Sequence, residues 1–207
     1  MIPKKIVAIG ASSCEGKVDF EGNGFVGRLK TWHEGFDVHN HQVYNLGIPG
    51  DSTTGILKRI ISEVSVRKPG LILIQLGIND TRREGSASAP CETSLTKFRA
   101  NLTELIKKAK SLAEVIFVSV YPIDDSKTTP ASWRPIYYFS RDAEKYAQAM
   151  KDVCRELKVP YIDIFNQWLK TNYKEKYLYK DGLHANSNGH KYIFEQVKSF
   201  LENRYKE

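Results

Sequence analysis

The sequence predicts an α/β fold, a five-stranded parallel sheet with helices on both faces. Three observations carry this. Five short, nearly continuous apolar runs recur along the 207 residues, and the segments between them repeat apolar residues at helical spacing. Strands without polar alternation are buried on both sides, which is the condition of a parallel sheet covered by helices. No Pro/Gly/Ser-rich linker interrupts the chain, so residues 1–207 are expected to form a single domain.

In chain order, Lys5-Ile6-Val7-Ala8-Ile9 is a buried strand closed by Gly10. After a loop with Gly16, Gly22 and Gly24, residues Phe25, Val26, Leu29 and Trp32 mark a helix. Val38 to Leu46 reads as the second strand, ended by Gly47 and Pro49-Gly50. Ser52 is a suitable N-cap for a helix whose core face is Ile56, Leu57, Ile60, Ile61 and Val64. Leu71 to Leu76 is the clearest buried strand, and Thr93 to Leu112 a long helix through Leu95, Phe98, Leu102, Leu105 and Ile106. Val115 to Val120 is a strand, Ala143 to Leu157 a helix, Tyr161 to Ile164 a short strand, and Asn188 to Tyr205 the final helix.

Composition narrows the function classes. Thirty-one Lys and Arg against 24 Asp and Glu leave a net charge of +7, but the cations are interleaved with acids, as around Glu104, Glu114 and Glu175. Solvated helix faces look like this, so nucleic acid is not the expected partner, while an anionic substrate stays open. No apolar run reaches the roughly 20 residues that span a bilayer. Cys14, Cys91 and Cys154 are too few and too scattered for a disulfide framework or a zinc cluster. The N-terminus runs directly into a strand, without the apolar region of a signal peptide, and the expected location is cytoplasmic.

In folds of this class, functional groups gather beyond the carboxyl ends of the strands. There the sequence places Gly10-Ala11-Ser12-Ser13, Gly47-Ile48-Pro49-Gly50-Asp51-Ser52 and Gly77-Ile78-Asn79-Asp80, with Asp181-Gly182-Leu183-His184 before the last helix. Acyl transfer needs a nucleophile, a base, an orienter for that base and donors for an oxyanion. Ser12 supplies a hydroxyl, His184 a base, and Asp181 a carboxylate three residues away to fix the imidazole. The Ser12 and Gly50 N–H groups and the Asn79 amide are the candidate oxyanion donors. Each residue alone also reads as an ordinary turn, cap or loop residue; the combination gives them a joint chemical meaning.

These four blocks, in this order, resemble the SGNH (GDSL-type) hydrolase family across nearly the whole chain. Ser12 matches the family's serine, Gly50 its glycine, Asn79 its asparagine, and Asp181 with His184 its Asp-x-x-His pair. The resemblance implies a three-layer, flavodoxin-like α/β/α fold and ester hydrolysis with no metal or organic cofactor. Four positions, in three places, depart from the pattern. Ala11 stands where the family has aspartate, Ser13-Cys14 where it commonly has Leu/Ile-Thr, and Ala185 where proline usually follows the histidine. Ala11 removes a hydrogen-bonding group from the nucleophile's turn, and Ser13 becomes a rival nucleophile.

Other features carry less. His39 and His41 alternate on the second strand without an evident third metal ligand, and read as exposed strand histidines. Cys14 reads as small-residue packing, His190 and Lys191 as solvent-facing, and Trp32, Trp133 and Trp168 as core or rim. Pro122 to Arg141 is long enough to wall the pocket beside Ser12 or to pack against the neighbouring helix. Neither Gly-x-Gly-x-x-Gly nor a Walker lysine follows the first strand, which argues against a nucleotide site. The expected function is serine ester hydrolysis of a small acyl ester, including an O-acetyl ester of a carbohydrate. An acyltransferase, lysophospholipase or thioesterase on the same triad, and a non-catalytic binding member, remain as alternatives. The expected partner is a small-molecule ester; the sequence does not speak to oligomeric state.

Overall fold

The structure, a computed structural model, describes residues 1–206. The first half of the chain comprises β1 (Lys5–Gly10), α1 (Ser12–Glu15), α2 (Gly24–Glu34), β2 (Gln42–Gly47), α3 (Thr53–Ser65), β3 (Leu71–Gln75), a 3-10 turn (Asn79–Thr81) and β4 (Arg83–Glu84). The second comprises α4 (Leu95–Lys110), β5 (Glu114–Val118), α5 (Asp125–Thr128), β6 (Ile136–Tyr137), α6 (Ser140–Glu156), β7 (Tyr161–Ile162), α7 (Ile164–Leu169), α8 (Tyr173–Lys176) and α9 (Ser187–Arg204).

Five strands form one parallel sheet in the order β2-β1-β3-β5-β7, the doubly wound, flavodoxin-like arrangement. Successive side chains of a strand point to opposite faces, and each face has its own core. Val7, Ile9, Ile72, Ile74 and Phe117 pack with α3, α4 and α6. Ile6, Ala8, Leu73, Ile116 and Val118 pack with α2, α7 and α9. That double burial is why β1, β3 and β5 read as nearly unbroken apolar runs, while β2, at the sheet edge, is mostly half-buried and carries Gln42 and Asn45. Among the described residues, no helix is long and apolar enough to cross a membrane.

Four expectations shift. The second strand begins at Gln42 rather than Val38, because the Asp37 carboxylate accepts the His39 and Asn40 N–H groups and folds residues 37–40 into a turn. His39 and His41 therefore precede the strand instead of alternating on it, and the His41 ring stacks on His33 with centroids 4.5 Å apart. The last strand ends at Ile162, since the Asp163 side chain caps α7 by accepting the Asn166 N–H at 3.1 Å. Leu95 and Ile61, expected on core faces, are 38% and 42% exposed; Leu95 opens its helix, where the first turn overhangs the core.

Candidate active site

A cavity of about 390 Å³ opens at the carboxyl ends of β1 and β3, the two strands that flank the point where the strand order reverses. Ser12, Gly50, Asn79, Asp181 and His184 all line it. The sequence thus named five residues, from four separate segments, that the fold brings to one place.

Ser12 is the first residue of the single-turn helix α1 and is 7% exposed. Its position depends on a close approach of β1 to β3: a Cβ on Gly10 would stand 2.0 Å from the Gln75 carbonyl oxygen, so only glycine fits. Ala11 offers no side-chain hydrogen bond. The turn is held instead by the Ala11 N–H to Gln75 O (3.3 Å) and by Arg59 Nη2 to Gly10 O (3.2 Å). Arg59 also bonds the Asp51 carboxylate through Nε at 2.7 Å, tying the first block to the second. Ser13 Oγ lies 2.6 Å from the buried Tyr121 hydroxyl, and Cys14 is fully buried, which pushes its thiol up to about 12.

Gly50 sits at the second central position of a turn that runs from Ile48 to Asp51, closed by Asp51 N–H to Ile48 O at 3.1 Å. With Pro49 before it and φ at +85°, this is a type II arrangement, in which glycine avoids the strain of a left-handed residue. Asn79 Nδ2 donates to the Asp51 carbonyl at 2.9 Å, and Asn79 Oδ1 accepts from the Tyr138 hydroxyl at 3.3 Å. Ser52 occupies the N-cap of α3 but makes no capping hydrogen bond with its side chain. Asp80 takes that part from outside the helix, accepting from Thr53 N at 3.0 Å and Thr53 Oγ1 at 2.6 Å. Burial raises Asp80 to about 6 against the pull of these donors.

His184 Nδ1 is 2.8 Å from Asp181 Oδ2, while Asp181 Oδ1 accepts the Leu183 and His184 N–H groups at 2.9 Å each. Burial opposes the charge on Asp181, yet hydrogen bonds from the His184 imidazole and these amides hold it below the usual carboxylate range. Trp133, 46% exposed, tilts over the imidazole with ring centroids 6.2 Å apart. Residues 122–141 do wall the pocket: β6 pairs antiparallel with β4, and Trp133, Arg134, Ile136 and Tyr138 line the cavity. Arg82 at this wall pairs with Glu84 and Glu92 and Arg134 approaches Glu84, so two carboxylates answer the two guanidinium charges.

One expectation fails here. His190 does not face solvent; it is wholly buried, accepting the Phe25 N–H at Nδ1 (3.3 Å) and bonded through Nε2 to Lys17 O (3.2 Å). Lys191 is exposed as expected. Tyr121 and Asp80 were not singled out by the sequence, whose only signal for them is position, at the end of an apolar run and next to Asn79.

The profile of the GDSL-like Lipase/Acylhydrolase family matches residues 8–192. The acetylxylan esterase of Geobacillus stearothermophilus is 26% identical over 203 residues, covering 90% of this chain and 89% of that protein. The GDSL esterase/lipase WDL1 of Oryza sativa subsp. japonica is 24% identical over 153 residues, 71% of this chain but only 59% of the plant protein's length. In three dimensions, the lipase/acylhydrolase from Enterococcus faecalis superposes with a TM-score of 0.80 at 24% identity, covering 97% of this chain and 96% of that one. With the profile spanning all four blocks, the chain belongs to the GDSL-like lipase/acylhydrolase, or SGNH hydrolase, family.

Proposed function

We propose that the protein is a serine ester hydrolase that works through an acyl-enzyme and takes esters of small acyl groups, O-acetyl carbohydrates among them. The observation that carries this is the 2.8 Å bond from His184 Nδ1 to Asp181, in the cavity that Ser12 also lines. That bond commits Nδ1–H to the carboxylate and leaves Nε2 as the basic nitrogen of a histidine that lines the same cavity as Ser12.

Ser12 Oγ attacks the ester carbonyl as its proton passes to His184 Nε2. Asp181 stabilises the imidazolium. The developing oxyanion takes hydrogen bonds from the Gly50 N–H, from the Ser12 N–H at the open first turn of α1, and from the Asn79 N–H not engaged by Asp51. His184 then protonates the leaving alcohol, activates water and returns the proton to Ser12 as the acid departs.

A small acyl group suits a cavity near the low end of the roughly 300–1,000 Å³ range of ligand pockets. Similarity to an acetylxylan esterase over most of both chains supports a sugar ester. So does Trp133, a half-exposed aromatic face at the rim on which a pyranose ring can rest.

The test is hydrolysis of p-nitrophenyl esters from acetate to octanoate and of acetylated xylooligosaccharides. Ser12→Ala and His184→Ala are expected to lose at least ~10³-fold, and Ser13→Ala far less. Acetate release is expected to exceed octanoate release. A folded wild type that hydrolyses none of these and whose serines resist an organophosphonate would overturn the reading.

A further inference from the structure

We propose that Tyr121 is a positioning residue that holds the Ser12 turn and the His184 turn in register through a two-sided hydrogen bond. The inference rests on the reading that Ser12 and His184 react together. The Tyr121 hydroxyl accepts the Ala185 N–H at 3.0 Å and lies 2.6 Å from Ser13 Oγ. Its partners are the immediate chain neighbours of the nucleophile and of the base. A single oxygen therefore joins two segments 172 positions apart in sequence, counted from Ser13 to Ala185.

Both partners exist because of departures from the family pattern. Leucine or isoleucine at position 13 has no hydroxyl, and proline at position 185 has no N–H, so neither arm forms with those residues. Ser13 and Ala185 together supply what a phenol between them needs. The third departure, Ala11, removes a carboxylate from the same turn, and the Tyr121 bridge gives that turn a different anchor.

The phenol is itself fixed. Tyr121 follows β5, is 5% exposed, and stacks on the fully buried Trp168 with centroids 4.7 Å apart and planes 29° from parallel. Burial pushes its hydroxyl up to about 12, so it stays a neutral hydrogen-bonding group at any working pH. Ser13 and Ala185 are 6% and 0% exposed, which excludes water as a ready substitute for either arm. Displacing reacting groups by about 1 Å can lower a rate ~10²-fold, so a bridge that sets the Ser12–His184 approach acts on kcat while leaving ground-state binding alone.

The experiment compares Tyr121→Phe, Ser13→Ala and the double variant by kcat and KM on p-nitrophenyl acetate and by the rate at which a phosphonate labels Ser12. All are run well below the lowest melting temperature of the set, with Ser12→Ala as reference. Tyr121→Phe is expected to lower kcat and the labelling rate at least ~10-fold, with KM within twofold. Ser13→Ala is expected to do the same in smaller measure, and the double variant to be no slower than Tyr121→Phe. A melting temperature that falls while kcat stays within twofold overturns the proposal and leaves Tyr121 as packing. Losses that multiply in the double variant overturn it as well, because two arms of one bridge cannot be lost twice. Should Tyr121→Phe not fold, Ser13→Ala alone decides, since it keeps the ring. Full activity in Ser12→Ala would defeat the underlying reading instead, and this proposal with it.

Discussion

Asn79 Nδ2 stands 2.9 Å from the main-chain oxygen of Asp51, and its Oδ1 receives the Tyr138 hydroxyl at 3.3 Å. The two contacts settle which end of the amide is which and leave one N–H directed away from Asp51. They also join the loop after β3 to the turn that carries Gly50, so both proposed oxyanion donors are fixed before any substrate arrives. Asn79→Ala is expected to lower kcat ~10²–10³-fold with a small change in KM, the signature of a donor used only as charge develops. Tyr138→Phe, which removes one of the two contacts that hold the amide and leaves the bond to Asp51, is expected to fall between that variant and the wild type. Steady-state kinetics on p-nitrophenyl acetate checks both, and an Asn79→Ala enzyme that loses only affinity would count against the oxyanion role.

Asp181 makes three hydrogen bonds within its own turn, one to the imidazole and two to main-chain N–H groups. Asp181→Asn keeps the shape but presents an amide to His184, which favours the wrong tautomer. The expected loss in kcat is ~10³–10⁴-fold, with the fold intact by circular dichroism. A loss below tenfold would mean that His184 is oriented by other groups.

What the sequence made legible follows from burial. Strands covered on both sides are largely apolar, and β3, apolar from Leu71 to Ile74 and fully buried, is the clearest of them. Ser12, Gly50 and Asn79 were legible because each follows a strand, where topology dictates convergence, whereas Asp181 and His184, in the loop before α9, were legible from their three-residue spacing. What stayed hidden depends on partners far away in sequence. His190 was read as exposed from its place at the start of a helix, but its burial is set by Phe25 and Lys17. Asp80 reads locally as a loop residue or an N-cap of its own segment, because nothing near it in sequence shows that it caps a helix beginning 27 positions earlier, at Thr53. Val38 has strand propensity, yet the Asp37 turn leaves it 74% exposed.

Trp133 is a half-exposed aromatic ring lining the cavity, on a segment held by the β4–β6 pair and by the Gly85 N–H to the Pro135 carbonyl at 2.9 Å. Trp133→Ala is expected to raise KM for acetylated xylooligosaccharides about 3- to 10-fold while leaving p-nitrophenyl acetate nearly unchanged, since stacking on a sugar ring stabilises bound ground state and transition state alike. Equal effects on both substrates would assign Trp133 to support of His184 rather than to sugar binding.

Asp80 and His190 are expected to oppose each other in acid. Burial raises Asp80 from 3.8 to about 6, so between these values the folded chain holds a proton that the unfolded chain has lost. Stability from this group therefore rises as pH falls from 6 to 4. Burial depresses His190 from 6.5 to about 4, against the opposing pull of the Lys17 carbonyl, so there the unfolded chain holds the extra proton and stability falls over nearly the same window. Each effect is worth up to about 3 kcal/mol, and the two act in opposite directions in the wild type. Asp19, held at about 2 chiefly by Arg28 and its hydrogen bonds despite burial, loses its contribution mainly below this range. Asp80→Asn should thus expose a steeper loss of stability between pH 6 and 4, whereas His190→Gln should flatten or reverse it. Urea denaturation at pH 6.5, 5.5 and 4.5 measures both. Profiles parallel to the wild type in either variant would show that the group titrates in the folded protein as it does in the unfolded chain.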